Sequence, residues 1–277
     1  MLSPAVILLL VWMIVPLGLS LYFSVMHYQL LDSENIRFAG LDNYRYFVTS
    51  LGFAAAILNS LLLVATVLII TMVGGLGFAL LLSQPIWGRG LLRIMAISPF
   101  FVMPTVSALI WKNIFMNPIS GLFAHLAVAL GLEPIDFLGD YPLASIIVIV
   151  AWQWLPFALL ILLTALQSLD REQMEAALMD GAGALNRFYY ITLPHLWRPM
   201  VVVLLTETIY LLSVFAEILV TTNGGPGYAS INLTFLIYAR SLLQFDVGGG
   251  SAGGIIAVIL ANIVAFFLLR LVGRTLD

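Results

Sequence analysis

Apolar residues gather in six long runs along this chain, at about 4–26, 54–82, 94–115, 142–166, 199–220 and 252–270, and most polar residues lie between them. Each run meets or approaches the roughly 20 residues an α-helix needs to cross the hydrocarbon core of a bilayer. Backbone N–H and C=O groups find no water there, so a spanning segment must satisfy them internally, as helix. The alternating pattern of a membrane barrel is absent from the sequence. The pattern predicts an all-α integral membrane protein with six transmembrane helices, forming a single domain over residues 1–277. An even number of spans places both termini on one side.

Composition narrows the class. The chain is 62% hydrophobic and 9% charged, against about 25% charged residues in a soluble domain. Its net charge of −3 carries no signature of nucleic-acid binding. The absence of cysteine excludes disulfides, thiolate metal sites and cysteine nucleophiles. The first run has no basic flank and exceeds the roughly 7–15 apolar residues of a cleaved signal, so it reads as a retained helix. Because Met1 opens almost directly into that run, a trimmed or misassigned N-terminus is expected.

Lysine and arginine placement sets the orientation. One set of loops and ends holds Arg89, Arg93, Arg171, Arg187, Arg198, Arg270 and Arg274. The other holds Arg37, Arg45, Lys112 and Arg240, together with Asp32, Glu34, Asp42, Glu133, Asp136 and Asp140. By the positive-inside rule the first set is cytoplasmic, which puts both termini inside.

Several intramembrane residues invite a chemical reading. Asn59 and Ser60 open the second run, and Gly74, Gly75 and Gly77 follow as helix-packing positions. Pro99 and Pro104 predict a kinked third helix. Trp152-Gln153-Trp154 in the fourth run pairs aromatic faces with an amide, a combination suited to sugar-like ligands as well as to packing. In the fifth run Thr206, Tyr210, Ser213 and Glu217 recur at intervals of four, three and four, which predicts one polar helix face. Ionisable groups in a span are costly and tend to face an interior or a water path. Tyr210, Ser213 and Glu217, then Trp152, Gln153 and Asn59, are therefore the candidate lining of a substrate pathway. Glu207 sits beside the stripe, and at about 1.5 Å rise per residue it lies about 15 Å from Glu217, too far for a paired-carboxylate active site. Gly249-Gly-Ser-Ala-Gly253 formally matches a hydrolase elbow but occurs at a membrane-helix start, where glycines pack helices. Asn232-Leu-Thr234 is a glycosylation sequon by pattern alone. The outer loop at about 27–53 is long enough to fold against the outer mouth, and equally serves as a connector.

Residues 167–198 are a polar, glycine-punctuated insertion between two apolar runs. Alanines and acids favour a short helix that Gly181 and Gly183 end or bend. Phe188, Tyr189, Ile191 and Leu193 predict a second short amphipathic helix stopped by Pro194. A plain connector could be much shorter.

This segment carries a family resemblance. Glu175-Ala176-Ala177, Gly181, Ile191, Leu193 and Pro194 fit the pattern E-A-A, three residues, G, nine residues, I, one residue, L-P. That pattern resembles the EAA loop of permease subunits of binding-protein-dependent ABC importers. Gly40-Leu-Asp-Asn-Tyr44, the Pro104…Trp111…Phe115 run, Leu166-Gln167 and Asn223-Gly-Gly-Pro226 extend the likeness over the whole chain, toward maltose-type sugar and polyol permeases. The resemblance implies the type I ABC importer permease fold, with Glu175, Ala176, Ala177, Asp180 and Gly181 as the coupling helix that docks in a cleft of a cytoplasmic ATPase. It implies a second permease as heterodimer partner, two ATPase subunits and a periplasmic or lipid-anchored solute-binding protein. The location would be the inner membrane of a bacterium or archaeon. No P-loop pattern occurs in the sequence, so ATP and Mg are expected on the partner ATPase, and this chain is expected to be a transport subunit that binds no cofactor. A secondary transporter or channel working without an ATPase is the alternative.

Overall fold

A computed structural model describes residues 3–273. The expectations for Met1, Arg274 and the two chain ends concern residues outside that range. The described part is a helical bundle with one small hairpin. Helix α1 (Ser3–Ser24) is apolar throughout and lies against the last helix. The strands β1 (Met26–Gln29) and β2 (Asp32–Phe38) follow, paired antiparallel with Met26 opposite Phe38 and His27 opposite Arg37. They are an addition to the expected helices. The short helix α2 (Asp42–Val48) comes next, and the Asn43 amide donates to the carbonyls of Ser24 and Met26 at 2.9 and 2.8 Å. This loop is therefore folded against the bundle rather than left as a free connector.

The centre is the pair α3 (Phe53–Ser83) and α8 (Pro142–Gln167), packed along much of their length. Gly75 permits that approach: a Cβ there would stand 2.7 Å from the Ala158 Cβ and 3.1 Å from the Leu159 nitrogen. Side chains such as Leu63, Val67, Ile146 and Val150 fill one end of the contact, and Ala79, Leu82, Leu159 and Leu162 the other.

Between them the third span is broken. Helix α4 (Arg89–Ile97) runs through a 3₁₀ turn to Phe101, and α5 (Pro104–Ile110) continues in a π turn, Trp111–Phe115. The halves meet at 107°. Val102 and Met103 are extended at the corner, as the residue before a proline tends to be. Among the described residues five helices are long and apolar enough to cross a membrane, and the bent pair, counted as one span, makes six. Helices α6 (Leu122–Ala129) and α7 (Phe137–Asp140) lead to α8.

After α8 come α9 (Arg171–Met179) and α10 (Ala184–Arg187), a π turn at Phe188–Thr192, and α11 (Leu193–Leu211). Two expectations change here. Pro194 does not stop a second short helix, because residues 184–211 form one continuous helical stretch. The wide π turn just before Pro194 accommodates the missing N–H. The fifth span is also not one helix: α11 ends at Leu211 and α12 (Ala216–Thr221) starts after a turn, with Phe215 at φ −146°. Helix α12 is followed in sequence by α13 (Leu233–Tyr238), a π turn at Ala239–Leu243, and α14 (Val247–Gly273). Glycines at the start of α14 admit close neighbours: a Cβ on Gly253 would meet the Phe47 ring at 2.4 Å. The hydrolase-like pattern is thus helix packing.

Candidate functional site

Two regions hold the candidate chemistry. The first is the 167–198 segment. The Asp170 carboxylate caps α9 by accepting from the Glu172 N–H at 2.9 Å. At its end Gly181 adopts φ +76°, a left-handed conformation that glycine enters without steric cost. None of the residues Arg171 to Met179 is buried, so Glu175, Ala176 and Ala177 stand on an open helix surface with Asp180 and Gly181 at its tip. Beside them Met179 is 89% exposed and Tyr190 80%, with Leu178, Leu185 and Tyr189 also uncovered.

The second region is the pair of helix breaks flanking α8. At each break, carbonyls that a continuous helix would have satisfied are taken by side chains. Gln153 donates to the Val102 carbonyl at 2.8 Å. Thr234 donates to the Leu212 carbonyl at 3.0 Å, and the Asn232 amide donates to that of Val214. Irregular backbone at membrane depth requires such partners. No proline or glycine lies at 212–215; the competing hydrogen bonds from α13 and the residue before it are what interrupt the helix. The second halves α5 and α12 pack together, and the Lys112 ammonium donates to the last carbonyls of α12, Val220 and Thr221, at 2.9 and 3.0 Å.

Aromatic rings fill the space around the breaks. Tyr210 lies on Trp154 with ring centroids 5.0 Å apart, and Phe100 meets Trp154 edge-on at 5.7 Å. Trp152 instead faces Trp111 at 5.8 Å. Tyr210 is half-exposed at the end of α11, and Ser213 is exposed in the turn, its hydroxyl donating to the Tyr210 carbonyl at 2.7 Å.

The other predicted pathway residues are placed differently. Glu217 is buried in α12 rather than on a shared face with Tyr210, because the break intervenes; the four-residue stripe does not exist as one helix face. Asn59 is 8% exposed and its amide donates to the carbonyls of Tyr228, Ala229 and Ile231, at 3.1, 3.3 and 2.9 Å. Its donor capacity is spent on the turn after α12. Gln153 is likewise buried and committed through its amide nitrogen. Glu207 is fully buried and accepts from Thr71 of α3 at 2.6 Å. Asn232 is 2% exposed and caps α13, accepting from the Phe235 N–H at 2.8 Å; it is closed to glycosylation. Lys112, Asn232 and Thr234 also belong to the breaks, and the sequence pattern did not mark them as such. The available signal was a cluster of polar residues after a glycine–proline turn, read there as an outer loop.

A bundle of long apolar helices, two of its spans broken, with an exposed segment that ends in a left-handed glycine, defines a multi-span membrane protein. The model of the family described as binding-protein-dependent transport system inner membrane component matches residues 86–277. The chain is 33% identical to the trehalose/maltose transport system permease protein MalF of Thermococcus litoralis, over 99% of its own length and 92% of that protein. It is 36% identical to the probable ABC transporter permease protein y4oQ of Sinorhizobium fredii, over 90% of this chain and 81% of the relative. The same fold occurs in the crystal structure of a bacterial ABC transporter involved in import of the acidic polysaccharide alginate, with TM-score 0.84 and 22% identity, covering 99% of this chain and 94% of that one. The chain therefore belongs to the family of inner membrane components of binding-protein-dependent transport systems. It is a multi-pass permease subunit of the type I importer fold and not an enzyme.

Proposed function

We propose that this permease moves a sugar or polyol into the cytoplasm, as one of two permease subunits coupled to a separate ATPase through residues 167–198. The observation that carries the reading is the α9–Gly181 unit. It combines the E-A-A…G spacing with a left-handed glycine and a surface of uncovered Met179, Leu185 and Tyr190. Met179, at the end of α9, lies outside the candidate spans, and an uncovered apolar side chain there favours a partner surface. Small alanines allow close approach, and Glu175 and Asp180 offer partners for basic side chains. ATP and Mg belong on two ATPase subunits, and an outer solute-binding protein delivers the cargo. Both termini then face the cytoplasm, and the 277 residues act as one permease domain.

A sugar-like cargo is supported by the relatives named for trehalose and maltose and by the Trp154–Tyr210 pair at the break. Aromatic faces beside hydroxyl and amide groups match a ligand with apolar ring faces and many hydroxyls. We assign the pathway to Tyr210 and Ser213 at the turn, with Glu217 and Trp152 behind them. Gln153 and Asn59 act there by holding backbone. Co-purification in detergent tests the coupling. The permease retains its ATPase, and Gly181→Pro abolishes retention, because proline fixes φ near −65° where +76° is needed. An ATPase held equally well by Gly181→Pro would overturn the assignment. Uptake of a panel of radiolabelled sugars and polyols by the assembled transporter identifies the cargo.

A further inference from the structure

The coupling segment leaves the bundle at the end of α8 and re-enters it in α11, and one side chain joins the two points. His195, in the first turn of α11, places Nε2 2.9 Å from the Ala165 carbonyl and 3.2 Å from the Ser168 hydroxyl. A carbonyl only accepts, so Nε2 carries the proton and donates. Ser168 in turn donates to the same Ala165 carbonyl at 2.8 Å, leaving its oxygen free to accept from the imidazole. The same carbonyl accepts from the Ser168 N–H at 3.2 Å, and an added side-chain donor at a helix C-terminus is ordinary. The span is what distinguishes this one, since the donor stands 30 residues further along the chain. The next residue, Leu196, is fully buried in the cluster formed by Leu159, Leu162 and Leu163 of α8. A polar tie and an apolar plug therefore sit side by side at the base of the segment.

We propose that His195 is a positioning residue of the coupling step: it closes residues 167–194 into a loop on a single foot, so that force on α9 moves α8 and α11 as one body. Without the tie, α9 can tilt on a loosened foot, and the push is absorbed before it reaches either helix. The consequence reaches the helix breaks, because α8 carries Gln153, which holds the first break, and α11 ends at the second. The proposal rests on reading residues 167–198 as the coupling segment.

The chain has no cysteine, so the introduced thiols are the only ones it carries, and any on the partner subunits are replaced beforehand. Spin labels at Gln167→Cys and Arg198→Cys measure the foot in the full chain, both by itself and in the assembled transporter. The expected result is one narrow distance, unchanged by ATP plus vanadate. His195→Ala broadens it, and His195→Gln, whose amide donates from a similar position, restores it. A second readout is maleimide labelling of Ser213→Cys in the assembled transporter. Nucleotide changes its rate in the parent, the change is lost in His195→Ala, and it returns in His195→Gln. An unaltered distance distribution in His195→Ala, or a parent distance that itself shifts with nucleotide, overturns the clamp. Labelling that ignores nucleotide even in the parent would instead undo the coupling reading, while the spin-label distances still decide the clamp.

Discussion

On α9 the polar side chains turn outward and their one capping bond, Asp170 to Glu172, joins residues two apart. At the helix breaks the polar side chains turn inward, and their bonds reach from Gln153 to Val102, from Lys112 to Val220 and Thr221, and from Asn232 to Val214. The first region can lose a side chain without exposing or orphaning anything in the bundle. The second cannot, because each donor there answers a backbone carbonyl left open at a helix break or helix end. A surface motif of this permease is therefore separable from its fold, whereas the polar groups at membrane depth are part of the fold before they are part of any pathway.

The largest contrast is expected between Asn232 and Glu175. Asn232→Ala removes a helix cap and leaves the buried Val214 carbonyl unanswered, at a cost of roughly 2–4 kcal/mol for the two together. Thermal unfolding of the detergent-purified protein should shift down by several degrees. Glu175→Ala should leave the melting curve in place and weaken ATPase retention. Similar melting shifts in the two variants would remove the distinction between the regions.

This separation also explains what was legible in the sequence. The six spans follow from apolar runs, because burial in lipid imposes composition directly. The short exposed helix and its end follow from spacing, because they are made of consecutive residues with one left-handed glycine, Gly181. Pro99 and Pro104 announced a bend in the third span, and the 107° corner is its full extent. The break at 212–215 was not legible. Its cause lies some twenty residues away, in Asn232 and Thr234, and a helical periodicity count over 206–217 assumes the very continuity that those residues remove. Asn59 and Gln153 were read as ligands for the same reason. An amide in a greasy helix looks available until its backbone partner, Tyr228 or Val102, is located in space.

A smaller effect is expected at Gln153. Replacement by leucine keeps much of the volume and strands the Val102 carbonyl, at about 1–3 kcal/mol. The corner between α4 and α5 then loses its side-chain hydrogen bond from α8 and is left with the packing of Phe100 on Trp154 and Phe157, so melting and uptake should fall together. Gln153→Glu keeps the size but replaces a donor with an acceptor facing an acceptor, and should fall at least as far. A variant that loses uptake while melting normally would return Gln153 to the pathway as a ligand.

The smallest effect on stability, and the sharpest on transport, is expected at Ser213. Its hydroxyl donates only within its own turn, to the Tyr210 carbonyl, and the residue is exposed. Serine to alanine there removes no long-range bond, so stability should stay within about 0.5 kcal/mol. If the turn between α11 and α12 lines the pathway, the same change removes a hydroxyl beside the Tyr210–Trp154 pair and should lower uptake of the cargo found in the sugar and polyol screen. Tyr210→Phe should act in the same direction, since the ring stays on Trp154 and only the phenolic hydroxyl is lost. The two changes together distinguish a hydrogen-bonding site from an aromatic one. Loss in both assigns the cargo's contacts to hydroxyls at the turn. Normal uptake in both, with a normal melting curve, moves the pathway away from this break.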